Sequence, residues 1–198
     1  MKKIIFGIAI ITINATGCNS NSSSSEKNKT GDTSIGNTPS AKAKDTSIVT
    51  DTKVDGSMKE MVIQYLQMKN ALANDNGKDA ANAGKAFVES MGKMDENSMT
   101  GDKKKKWDGL SDDAKEHGEH IGKNSDNIKH QRDHFDMLSS DMYDMVKAFG
   151  AGQVLYKEFC PMANEGLGAY WLSESKQIHN PYLGKKMPTC GVVKEEIK

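Results

Sequence analysis

Between Ile128 and Phe149, the residues Ile128, Phe135, Leu138, Met142, Met145 and Phe149 recur at heptad-like three- and four-residue steps. That spacing places them on one face of an α-helix, and a stripe of this kind must be covered by neighbouring helices. Gly150 and Gly152 end the segment. Three upstream segments repeat the period. Ser57 caps a first helix expected to run to Ala73, with Met58, Met61, Val62, Tyr65, Met68 and Leu72 on its stripe, and 74–77 stops it. A second runs over 78–93 with Ala80, Ala83, Phe87, Met91 and Met94, its alanines and Gly84 small enough for close helix approach. A connector at 95–101 precedes a third over 102–123, with Trp107, Leu110, Ala114 and Ile121 in line, although Gly109 and Gly118 weaken its continuity. The expected fold is mainly α: an antiparallel four-helix bundle, with a C-terminal irregular or short-strand tail packed on it. Tyr170-Trp171-Leu172 and Gly191-Val192-Val193 read as short extended pieces, and Trp171 as the apolar anchor of the tail.

The start of the chain has a different character. Lys2 and Lys3 followed by the apolar run Ile4–Ile13 form an export signal, too short to span a bilayer as a mature helix. Ala15-Thr16-Gly17-Cys18 resembles a lipobox with Ala15 in place of the usual Leu, so Cys18 is the expected lipidation site. Residues 19–56, with a serine block at 22–25, carry few groups able to join a core and are expected to be a disordered tether. The expected organisation is a lipoprotein signal over 1–18, a tether over 19–56 and a helical domain over 57–198. Such a chain is expected to face the periplasm as a lipoprotein anchored in a membrane of the cell envelope. The formal charge balances at zero, which points away from nucleic acid.

The tail concentrates sulfur. Cys160-x-Met162 and Met187-x-x-Cys190 bracket an aromatic, turn-rich segment. Two thiols and two thioethers together make a soft ligand set suited to Cu(I). Equally, two cysteines in an exported chain make a structural disulfide, with Met162 and Met187 as packing. The spacing leaves both readings open.

Several tail residues also resemble those of a family of uncharacterised bacterial periplasmic domains, which occur as well at the ends of membrane-fusion adaptor proteins of copper/silver efflux systems. The matching residues are Phe159-Cys160-Pro161-Met162-Ala163, Trp171-Leu172-Ser173, Ile178-x-Asn180-Pro181-Tyr182-x-Gly184, Met187 and Cys190-Gly191. Gln131-Arg132-x-His134-Phe135 and Leu138-Ser139 match upstream, and Leu183 departs from an expected aromatic. The resemblance runs from about Met58 to the end. It implies handling of a heavy metal, most often copper, in the periplasm, without an established enzymatic activity.

Four histidines fall on the third and fourth helices. His130 and His134 are four apart and share a face, as a shallow ligand pair or as solvated residues. His117 falls on the apolar stripe of the third helix, as a core residue or a ligand, whereas His120 is expected to point well away from that stripe. His179 lies in the turn beside the sulfur tail and could supplement it. There is no phosphate loop, nucleophile elbow or zincin helix, so neither an enzyme nor a small-molecule substrate is expected.

Two functional expectations follow. One is a tethered metal-binding or transfer protein associated with efflux, holding copper, as Cu(I), at Cys160, Met162, Met187 and Cys190, with His134, His130, His117 and His179 as secondary candidates. The other is a helical interaction module stapled by a Cys160–Cys190 disulfide, which docks to an efflux adaptor or envelope partner without metal.

Overall fold

Four helices follow one another with short links in the computed structural model, which describes residues 55–198. The expected signal segment 1–18 with Cys18, and all but the end of the expected tether 19–56, lie outside the described residues. Helix α1 spans Gly56–Ala73, α2 Gly77–Met91, α3 Gly101–Lys123 and α4 Ile128–Phe149. Each helix packs on the next, and α4 returns against α1. Among the described residues, no helix is long and apolar enough to cross a membrane.

The caps are local. Asp55, not Ser57, caps α1: its side chain accepts from Ser57 N at 2.7 Å, while Ser57 Oγ donates to Lys93 O at 2.9 Å and ties the helix start to the end of α2. Asn76 caps α2 by accepting from Asp79 N at 3.1 Å, and Asn127 caps α4 by accepting from His130 N at 3.2 Å. The apolar stripes expected on α1, α2 and α4 are buried, apart from the half-buried Ile128 and Phe149 at the two ends of α4, with Met58, Tyr65, Phe87, Phe135, Leu138 and Met142 fully covered.

Helix α3 is continuous through Gly109 and Gly118. The reason lies in packing against α2. A Cβ at Gly84 would sit 2.9 Å from both Gly118 O and Gly122 N, so α2 and α3 approach at backbone contact. Gly84→Val is therefore expected to destabilise the bundle by about 1–3 kcal/mol or more through overpacking. Gly109→Ala, where a Cβ meets nothing within 4 Å, should instead stabilise by about 0.5–1 kcal/mol. Thermal denaturation of the two variants checks the contrast.

The tail is more regular than expected. Strands β1 (Leu155–Cys160), β2 (Ala169–Ser173) and β3 (Val192–Ile197) form an antiparallel sheet in the order β2-β1-β3. Val154 leads into β1, which starts at Leu155. The sheet lies on α4 and α1. Trp171 is buried as the expected anchor. Tyr65 of α1, stacked on Phe135 at 4.9 Å, shares a 2.7 Å hydrogen bond with Ser139 Oγ and accepts from Leu172 N at 3.0 Å, so one phenol links α1, α4 and β2. Cys160 and Cys190 form a disulfide with Cα atoms 5.8 Å apart, pinning the long β2–β3 excursion to the end of β1.

Candidate metal centre

The turn at 124–127 folds α4 back along α3. His120 and His130 lie at nearly equal distances on either side of that turn, and so do His117 and His134. An antiparallel helix pair brings such positions opposite one another. The structure accordingly places His120 Nδ1 3.2 Å from His130 Nε2, and His117 Nδ1 3.2 Å from His134 Nδ1. The His120 and His134 rings stack at 4.1 Å, and His130 meets His134 edge-on at 4.5 Å. All four residues are half-buried.

His120, His130 and His134 each offer a ring nitrogen within 4.8 Å of the others. A tetrahedral ion with bonds of about 2.0–2.1 Å needs nitrogens roughly 3.3 Å apart. The His120–His130 pair already has about that separation, and a His134 ring nitrogen lies within 4.8 Å of both. Because His134 Nδ1 faces His117, its Nε2 is the atom free for an ion. His117 Nε2 in turn lies 3.8 Å from Asp141 Oδ2, a buried oxygen without a hydrogen-bond partner. His117, hydrogen-bonded to His134, is the kind of outer support that orients a ligating imidazole.

The electrostatics favour neutral imidazoles at His134 and His117. Burial, together with the neighbouring rings of His120, His130 and His117, pulls the His134 pKa down to about 4. Burial also lowers that of His117. Burial, and then the charges of Asp113 and Asp144, push the Asp141 carboxyl up to about 6. Deprotonated imidazole is the form that binds a metal, so His134 is ready as a ligand far below neutrality.

The other sulfur and histidine candidates are distributed differently. The disulfide takes up both thiols, Cys160 fully buried and Cys190 half-buried. Met162 and Met187 stand 54% and 37% exposed. His179 is exposed in the tail and apart from the histidine cluster. His120 lies off the apolar stripe of α3 and joins the cluster through its contacts with His130 and His134. The apolar stripe of α3 marks the side facing the core, whereas His117 and His120 occupy the flank that α4 covers. The signal that finds His120 is the pairing of two histidine pairs across one turn, not the stripe of a single helix.

A family model described as "Protein of unknown function (DUF3347)" matches residues 61–154. The matched segment contains all four clustered histidines and stops before β1, so Cys160, Met162, Met187 and Cys190 lie beyond it. No curated protein and no solved structure matches the chain. Over its helical part, the chain is thus similar to an uncharacterised protein family.

Proposed function

We propose that this is an envelope-tethered protein that binds a transition metal, copper foremost, at His120, His130 and His134, and passes it on. The observation that carries the reading is the convergence of three ring nitrogens from two helices within 4.8 Å. Imidazole suits copper, zinc, nickel and iron. The resemblance to domains carried by copper/silver efflux adaptors favours copper among them. Three protein ligands leave a fourth position for water or for a donor from a partner. The half-buried His120 lies where an incoming ligand could displace it, and transfer would proceed by stepwise ligand exchange. Export and lipidation at Cys18 would hold the domain at a membrane of the envelope, near efflux components. No catalytic role is assigned to the site.

Calorimetric titration of the full chain with Cu(II) and with Zn(II) tests this. The expected result is one ion per chain, with affinity lowered on the order of 100-fold or more in His120→Ala/His130→Ala, since even outer partners of a ligand are worth about 10–100-fold. His179→Ala should titrate like the parent. Equal binding by parent and double variant would remove the metal site.

The disulfide-stapled interaction module is the second reading, and the Cys160–Cys190 bond is what favours it. It would be left standing by a chain that binds no ion yet keeps a partner.

A further inference from the structure

Of the twelve methionines, all but Met1 fall among the described residues. Seven of these are buried in the core, and Met99 packs against it half-covered. Only Met137, Met162 and Met187 are exposed among the described residues, at 43%, 54% and 37%. Core filling accounts for the buried ones but not for these. Two of the three, Met137 and Met162, line one cleft of about 560 Å³ between the first half of α4 and the turn after β1.

The turn that carries Met162 is unusual in its backbone. Asn164 and Glu165, both with a Cβ, adopt left-handed φ values of 49° and 56°. Such positions are disfavoured outside glycine and concentrate where surrounding structure holds a functional geometry. Here Asn164 Nδ2 donates to Asp136 Oδ2 at 3.2 Å, which fixes the lip of the cleft to α4.

The charges around the cleft also favour a cation. Arg132 is committed to Pro181 O, Leu72 O and Asp75 at 2.6–2.8 Å. Lys129 pairs with Asp133 at 3.2 Å. Among the described residues, Asp136 and Glu165 join no ion pair and are left as surplus negative charge.

We propose that Met137 and Met162 form a second metal site, a thioether pair for a soft monovalent ion such as Cu(I) or Ag(I). Neutral thioethers select such ions over zinc, and they need no deprotonation to bind. Met137 follows His134 by three residues and so lies one turn along the same side of α4. The soft site therefore borders the imidazole site without sharing a ligand with it, and neither depends on the other.

The test uses the full chain carrying Cys18→Ser, so that no free thiol competes, with its methionine ε-methyls labelled with carbon-13. Silver(I) is titrated while the methyl resonances are followed. Assignment comes from Met137→Leu and Met162→Leu, which preserve apolar volume. The methyls of Met137 and Met162 should shift together and saturate at one equivalent, and the double leucine variant should bind Ag(I) at least 10-fold more weakly. Zinc binding should be the same in parent and double variant, so a failure of the histidine site is read separately. The proposal is overturned if those two methyls stay still, if Met187 responds in their place, or if the double variant retains the silver affinity.

Discussion

Loss of the Cys160–Cys190 bond should cost the domain about 3–4 kcal/mol of stability. The bond joins cysteines 30 residues apart, and closing a loop of that length removes about this much free energy of unfolded-chain disorder. The enclosed segment has anchors of its own. Asn180 donates through its side chain to Cys190 O at 2.7 Å and through its backbone to Pro188 O at 2.9 Å, and its side-chain oxygen accepts from Tyr182 N and Leu183 N. Tyr182 packs on Trp171 and Phe135. These contacts are formed only in the folded chain, so they do not replace the covalent constraint on the unfolded one. Urea unfolding of the oxidised parent and of Cys160→Ala/Cys190→Ala measures the difference. A difference below about 1 kcal/mol would mean that the segment is held by Asn180 and Tyr182 alone. The same preparation bears on metal handling. With both thiols oxidised, a Cu(I) site built from Cys160, Met162, Met187 and Cys190 would require prior reduction, whereas the imidazole and thioether sites would not.

The second large effect is a dependence of stability on pH that Glu158 controls. This residue sits on the central strand, wholly buried, and among the described residues neither carboxylate oxygen has a hydrogen-bond partner. It faces Lys69, itself buried and bonded at 2.7 Å to Glu174. Burial pushes the Glu158 carboxyl from 4.5 up to about 7, against the opposing charge of Lys69. The folded chain thus keeps a proton that the unfolded chain releases near pH 4.5. The stability present below that pH is lost as pH rises towards 7, by about 2–3 kcal/mol for this one group. Glu158→Gln has no proton to release and should flatten the profile, with the variant gaining on the parent at pH 7.5 relative to pH 4. Asp141, raised to about 6, slopes in the same direction in both proteins and cancels in the comparison. Parallel profiles for parent and variant would show that Glu158 titrates alike in the folded and unfolded chain and overturn the shift.

A buried acid in this place was not legible from the chain. Glu158 stands between Lys157 and Phe159, and the register of β1 against β3 shifts between Lys157 and Glu158. Two successive half-buried residues, Tyr156 and Lys157, precede it. The skipped residue is Lys194 of β3, so β1 itself alternates regularly and sets Glu158 on the same face as the buried Cys160, and only strand pairing shows that this face is covered.

The helices were legible because each satisfies its backbone internally and declares its buried face by a period of three and four. Phe135, Leu138 and Met142 on α4, and Met61, Tyr65 and Met68 on α1, are as covered as their spacing demands. Capping was less so: Ser57 and Asp55 both have the chemistry, and the bond from Ser57 Oγ to Lys93 O, thirty-six residues away, decided between them. The even number of domain cysteines and the expected export left disulfide and ligand readings open, and the folding of β3 beside β1 brought Cys190 to Cys160. The histidines show the division most plainly. Spacing along one helix pairs residues on that helix, and it set His120 aside because its own stripe faced elsewhere. The cluster exists because the α3–α4 turn sets two helices antiparallel, so residues at equal distances from the turn meet. Local periodicity therefore determined the helices and their buried faces, while the tertiary structure decided which polar side chains share a site, because those contacts depend on how separate elements are placed and not on the period of any one of them.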